Sequence, residues 1–458
     1  MNINEIIQAG RLPEAIIADL KRKSVVLPSW ETLEKEYDPK KHPVYSDPSY
    51  TDKVTKNGIQ KVTRISLDWQ RLAVKRMTEL MFAVPVKRTF RPKTERERAV
   101  AKLMEAIYQR ARIDSVNNER GRMLFASCEA VTIWYAQAVQ TLYAGELSPL
   151  KLRCRNYSPM NGELIYPLFD EYGDMIALSV NYKRTENDTT IEYFDTYTAD
   201  RHIRWTNSGQ GWAVEVDDAI NIGKIAGVYI KRNTPIWEDQ SDNVSELEWT
   251  LSRNGNYLRK NSKPTFAVFS DDAISFGNED TKDNSQRAVM HYPEKARAEY
   301  ITWNQSTEAT KFHAEFLKQN FFMSLQLPDM SMENIKTTPM SGEARKMVFI
   351  DAQLKVNDEK GAWLEAFDRE LNVLRAFAKI MFPQYAKEID SLECEIEVTP
   401  FNINVESEKI SNLVNATCGK PIMSQKTAIE DLGYVDDAEE ELKQIAKEGI
   451  SELDEPTL

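Results

Sequence analysis

With 458 residues, 41% of them hydrophobic, the chain can build two or three domains with sizeable cores, and wholesale disorder is excluded. No apolar run reaches the roughly 18 residues a membrane-spanning helix needs, and the opening MNINEIIQAGRLPEAIIADLKRK reads as a polar-faced helix, unlike a signal sequence, so a cytoplasmic chain with no membrane partner is expected. The net charge of −12 is polarised: residues 383–458 carry 18 acidic and 6 basic side chains, whereas residues 61–130 carry 16 basic and 8 acidic ones, a distribution suited to stacked or ring-like assembly.

Enzyme chemistry leaves little trace. Cys128, Cys154, Cys394 and Cys418 are scattered without CxxC spacing and fit reduced thiols. No phosphate-binding loop, dinucleotide fingerprint, zinc-protease motif or nucleophile elbow occurs, and His42, His202, His291 and His313 are too dispersed to suggest a metal site or a triad. Asp271–Asp272 and Asp436–Asp437 could in principle hold Mg²⁺ in a nuclease, although loop solvation and helix capping explain them as well. The expectation is a chain without cofactor, not an enzyme.

In chain order, RLPEAIIADLKRK predicts a helix with Pro13 in its first turn, followed by an extended Pro- and Tyr-rich arm to residue 60. SLDWQRLAVKRMTELMFAVPV and TERERAVAKLMEAIYQRAR predict amphipathic helices, the second with Val100, Leu103, Met104 and Ile107 on one side, and a third helix spans 115–127. Four glutamates interrupt the lysines and arginines here at helical spacing, which favours surface ion pairs over nucleic-acid contact. Residues 130–232 read as one antiparallel β meander with turns at 171–174, 200 and 207–211.

Helices resume at Ser245-Glu246-Leu247-Glu248, a capping-box pattern for a helix expected to bury Leu247, Leu251 and Leu258 and to end near Pro264. Its acids, Glu246 and Glu248, come early and its bases, Arg253 and Arg259, come late, complementing the helix dipole. A mixed, polar insert follows, with strand-like TFAVFS and RAEYITW. TEATKFHAEFLKQNFFMSLQL, carrying Lys311 and Glu315, predicts the next helix, in which His313 reads as structural. After PDMSMENIKTTPMSG, a long helix runs to residue 382 with Trp363, Phe367, Leu371, Leu374, Ala378 and Met381 at steps of three and four. The end, GKPIMSQKTAIEDLGYVDDAEEELKQIAKE, gives two short helices, capped by Ser424 and by Asp436 or Asp437.

This order of elements resembles the portal proteins of tailed bacteriophages, of the siphophage type with a short crown, over roughly residues 60–450. The resemblance implies an α+β portal fold: an N-terminal helix and arm at 1–60, an α/β wing at 61–240, a helical stem at 241–264 and 306–327, a mixed clip at 265–305, a tunnel loop at 328–342, a long spine helix with return strand at 343–400, and a helical crown with tail at 401–458. It also implies a dodecameric homo-oligomer at one capsid vertex, with double-stranded DNA passing non-specifically through its axis. The partners implied are the major capsid protein, scaffold, the large terminase subunit and a head–tail adaptor. Another self-assembling virion scaffold protein is the alternative reading.

A conduit for DNA should avoid phosphate contacts that add up around a ring and stall the polymer. The stretch at the tunnel-loop position fits: Asp329 and Glu333 oppose only Lys336, among Met330, Ser331, Met332, Asn334, Ile335 and Thr337. It lacks a glycine-rich tip. The clip stretch mixes Asp271, Asp272, Glu279, Asp280 and Asp283 with Lys282 and Arg287, as expected of a docking surface of moderate affinity.

Overall fold

A computed structural model describes residues 3–451 apart from 8–9, 23–24, 56–57, 187, 262–264, 270–296, 302–306, 329–349, 402–405, 419–420 and 436–437. Helices α1 (Ile3–Ile6), α2 (Pro13–Leu20), α3 (Trp30–Tyr37) and α4 (Pro43–Ser46) lead to a small antiparallel hairpin, β1 (Lys53–Thr55) with β2 (Gly58–Gln60). Then come α5 (Trp69–Phe82), β3 (Lys87–Arg91), α6 (Glu95–Ala111) and α7 (Ile113–Ser127). Pro13 occupies the first turn of α2, where its missing N–H removes no helical bond. Thr94 and Glu97 close a reciprocal capping box at the start of α6.

The strand-rich block runs β4 (Glu129–Gln137), β5 (Thr141–Tyr143), β6 (Glu146–Ser148), β7 (Lys151–Tyr157), β8 (Leu164–Phe169), β9 (Met175–Glu186), β10 (Thr189–Tyr197), β11 (Arg201–Asn207), β12 (Ala213–Ala219) and β13 (Gly227–Lys231). The single meander expected from the sequence divides into two larger sheets and the small β5–β6 hairpin. Strands β12-β11-β10-β9-β8 form one sheet and β13-β4-β7 the other, because β13 returns to pair with β4 instead of extending the meander. The two sheets share a core of Val131, Ile133, Ile165, Leu178 and Val180. Gly227 permits that approach: a Cβ there would lie 2.2 Å from Leu178 Cδ2. Helices α1 and α2 bury Ile6, Ile16, Ile17 and Leu20 with Phe194 and Trp205 of the five-stranded sheet.

The remaining elements are α8 (Ser241–Asn261), β14 (Thr265–Phe269) paired with β15 (Arg297–Ile301), α9 (Thr307–Ser324), α10 (Ile350–Met381), α11 (Ala386–Ser391), β16 (Glu393–Glu397), α12 (Glu406–Thr417), α13 (Gln425–Leu432) and α14 (Ala438–Ser451). Every residue of the expected α10 stripe, from Trp363 to Met381, is buried. Trp363 stands edge-on to Phe82 of α5, ring centroids 4.8 Å apart. Large apolar side chains buried in this way contribute about 1.5–3 kcal/mol each.

One carboxylate interrupts that apolar face. Glu370 is fully buried and receives both Nη groups of Arg120 at 3.0 and 3.2 Å, with the Trp134 indole N–H donating at 3.3 Å and the Arg88 guanidinium forming an ion pair at 3.8 Å. Beside it β16 pairs antiparallel with β3. The basic 61–130 region finds acidic partners there: Arg91 with Glu395, Lys93 with Glu393 at 2.8 Å and Arg96 with Glu388 at 3.0 Å. Within-helix ion pairs also form, Lys75 with Glu79 and Arg98 with Glu95, but several partners of the basic block come from the acidic C-terminal region.

Candidate assembly and channel site

Helix α8 begins at Ser241, a full turn before the capping box read at Ser245, so Ser245 lies inside the helix. Its N-terminal end is held by Glu36, whose Oε2 accepts from Trp237 Nε1 at 2.8 Å and Ser241 Oγ at 2.7 Å. One polar face then runs through Glu248, Ser252, Asn256 and Arg259, and the extended chain at residues 61–67 lies along it. Leu67 N–H donates to Glu248 Oε1 at 2.6 Å, Ile65 N–H to Ser252 Oγ at 2.9 Å and Thr63 N–H to Asn256 Oδ1 at 2.6 Å. Arg259 donates to the Lys61 carbonyl at 3.0 Å.

The periods match. Two extended residues advance about 6.6 Å and four helical residues about 6.0 Å, so alternate backbone groups meet successive turns of α8. Gly255 sits under this strap, since a Cβ there would approach Thr63 Cγ2 to 2.9 Å.

Glu248 is therefore a buried anchor. The same Oε1 accepts from His42 Nδ1 at 2.7 Å, while His42 Nε2 donates to the Glu36 carbonyl at 2.7 Å. Both ring nitrogens face acceptors, so the arrangement calls for the imidazolium. Burial works against that charge, but the hydrogen bond and charge of Glu248, with the Glu36 carbonyl, outweigh it and raise the His42 pKa.

On its other side α8 meets α9: Asn243 Nδ2 donates to the Leu317 carbonyl at 3.3 Å, and His313 Nε2 lies 3.7 Å from Glu246. His313 is thus half-exposed at the helix pair. Arg253 leans over the Trp249 ring at 5.3 Å, and Lys311 pairs with Glu315 on the exposed surface of α9 at 3.8 Å. Leu247 is buried as expected, Leu251 only partly, and Leu258 is exposed, since it faces away from the Glu248–Asn256 stripe that the arm covers.

Helix α9 has two apolar faces. Leu317 and Phe321 point inward, while Phe312, Phe316 and Met323 are 71%, 54% and 74% exposed, the two Phe rings stacked at 6.4 Å. Such a stripe on an otherwise polar helix marks an interaction surface. The loop residues Asp329 to Thr337 lie outside the described residues, as do Asp271, Asp272, Glu279, Asp280, Lys282, Asp283 and Arg287 of the clip stretch and the capping candidates Asp436 and Asp437. What is described there is the strand pair β14–β15, on either side of residues 270–296 in sequence, and Pro328, whose carbonyl accepts from Arg76. Ser424 does cap α13, accepting from Thr427 N–H at 3.2 Å.

Sequence reasoning missed His42 as the partner of Glu248, and it missed Ser252 and Asn256 altogether. The one local signal was Glu248, Ser252 and Asn256 recurring every fourth residue, a polar stripe that solvent alone would also allow. Among the described residues no helix is long and apolar enough to cross a membrane.

No curated protein matches the chain. Among the solved structures that align with it, two share 10% identity with the chain. One, from the neck of an empty GTA particle computed with C6 symmetry, has a TM-score of 0.43 and covers 79% of this chain and 89% of that one. The other, from the virion of a native gene transfer agent (GTA) particle, has a TM-score of 0.40 and covers 91% and 98%. The family model described as "Phage portal protein, SPP1 Gp6-like" matches residues 22–454. With almost its whole length inside that match, the chain belongs to the SPP1 Gp6-like family of phage portal proteins.

Proposed function

We propose that this chain is the portal subunit of a phage virion: copies close into a dodecameric ring at one capsid vertex, and double-stranded DNA enters and leaves through the axis. The observation that carries the assembly is the unpartnered stripe of Phe312, Phe316 and Met323 on α9, an apolar surface that a single copy leaves in water. The α8–α9 pair is the stem on this reading. Residues 329–337 reach the channel as its constriction, where Asp329 and Glu333 against Lys336 give a lining that holds phosphates weakly. The clip stretch docks the large terminase subunit during filling and a head–tail adaptor afterwards, while the wing meets the major capsid protein and scaffold. The portal hydrolyses nothing; the terminase ATPase drives translocation.

Mass photometry and negative-stain imaging of purified protein test the ring directly. Replacing residues 329–337 by a Gly/Ser linker is expected to leave rings intact and to impair DNA packaging or retention. Particles with unchanged DNA content would remove the constriction from the mechanism.

A further inference from the structure

The β1–β2 hairpin has no core of its own. Val54 and Ile59 are directly opposed across its strands, and they are 85% and 67% exposed. A two-stranded ribbon is at best marginally stable alone, so an apolar cross-strand pair on this one calls for a surface to cover it. The hairpin is the immediate continuation of the strap on α8, since Lys61 next to β2 is held by Arg259. Strap and hairpin therefore belong to the Glu248–Asn256 side of the stem.

The exposed stripe of α9 points the other way. Leu317 and Phe321 mark its inner face, and at 100° per residue Phe312 and Phe316 lie on the outer one. Two uncovered apolar features thus sit on opposite sides of one helix pair. Lys53 and Lys61 stand beside the Val54–Ile59 pair and Glu308 beside the two phenylalanines, where Glu315 is already paired with Lys311. Surfaces that differ from each other and lie on opposite sides of a subunit can mate head to tail, the interface type that closes rings of more than two copies.

We propose that the β1–β2 hairpin of each copy seats Val54 and Ile59 on the Phe312–Phe316 stripe of the next copy, making the arm a buckle between adjacent stems. This rests on the ring reading above and names the surfaces that join.

Chains carrying Ile59→Cys and chains carrying Phe316→Cys, both in a Cys418→Ser background because Cys418 is exposed, are mixed and mildly oxidised. A covalent dimer is expected from the mixture and none from either chain alone; a single chain bearing both cysteines should give a ladder of multimers. Ile59→Asp, which puts a charge into the apolar contact beside Glu308, is expected to lose the ring at concentrations where wild type is fully assembled, with an unchanged melting temperature for the monomer. Rings that form without the cross-link, or Ile59→Asp rings as persistent as wild type, overturn the buckle and leave the ring standing. A chain that stays monomeric at every concentration overturns both.

Discussion

His42 and Glu248 stand 206 positions apart in sequence and 2.7 Å apart in the structure, each almost wholly buried. The contact fastens the arm to helix α8, and it does so through a charge that depends on pH. Because the His42 pKa is raised in the folded chain, the stabilisation is fully present below its ordinary value of 6.5 and is lost as pH climbs through the raised folded value. Urea midpoints of wild type and His42→Gln are therefore expected to differ most below the ordinary imidazole value of 6.5 and to converge as pH rises through the raised folded value. A gap that stays constant across that range would show that the imidazolium is not what holds the arm.

Glu370 makes a sharper stability test, since two guanidiniums and an indole N–H converge on a fully buried carboxylate. Glu370→Ala is expected to cost about 3–5 kcal/mol by leaving buried positive charge unanswered. Glu395→Ala, at the exposed pair with Arg91, is expected to cost less than about 1 kcal/mol. Equilibrium urea unfolding of both variants decides the matter, and comparable losses would mean the buried cluster is not specially coupled.

The strap on α8 predicts a pattern in amide exchange. Ser252→Ala and Asn256→Ala each strip the acceptor from one backbone N–H, those of Ile65 and Thr63, at about 1–3 kcal/mol apiece. Exchange of those two amides should quicken in the matching variant, whereas Arg253→Ala, whose side chain leans on Trp249, leaves them protected. Equal acceleration in all three variants would point to general loosening of α8 instead of a register of individual bonds.

These contacts also mark where the sequence was legible. Helix α10 could be read because a period of three and four sustained from Trp363 to Met381 has one physical solution, a buried stripe, and all six residues took it. The α8–β14–β15–α9 order could be read for the same reason: each element carries its own local pattern. The strap could not, because its partners lie more than 180 residues apart and the extended arm has no periodicity to announce a helix beneath it. Glu248 then looked like half of a capping box, a local motif with the right letters in the wrong frame. The division of the meander into two sheets escaped notice because β13 pairs with β4, about a hundred residues earlier, a choice that tertiary packing makes.

For the exposed face of α9, Phe312→Ser combined with Phe316→Ser removes apolar surface without opening a cavity, since both rings stand in solvent. The folded monomer is expected to melt unchanged, while the assembled fraction measured by mass photometry falls. Wild-type assembly by this variant would exclude the stripe from the ring interface.

Arg76 supplies the last test, because helix α5 holds two distant stretches of chain at once. The Arg76 guanidinium donates to the Pro328 carbonyl and lies 5.1 Å from the Phe322 ring centroid, so it grips the chain that leaves α9 just before residue 329. One turn further along, the Leu80 carbonyl accepts from Phe401 N–H at 2.8 Å, holding the chain that leads from β16 towards α12. A flat guanidinium can stack and donate together, which a lysine ammonium cannot do in the same geometry. Arg76→Lys is accordingly expected to behave more like Arg76→Ala than like wild type: faster exchange at the Leu325 and Leu327 amides, intact rings and poorer DNA retention in particles. If Arg76→Lys matches wild type in exchange and retention, charge alone suffices and the stacked clamp has no part in positioning the loop.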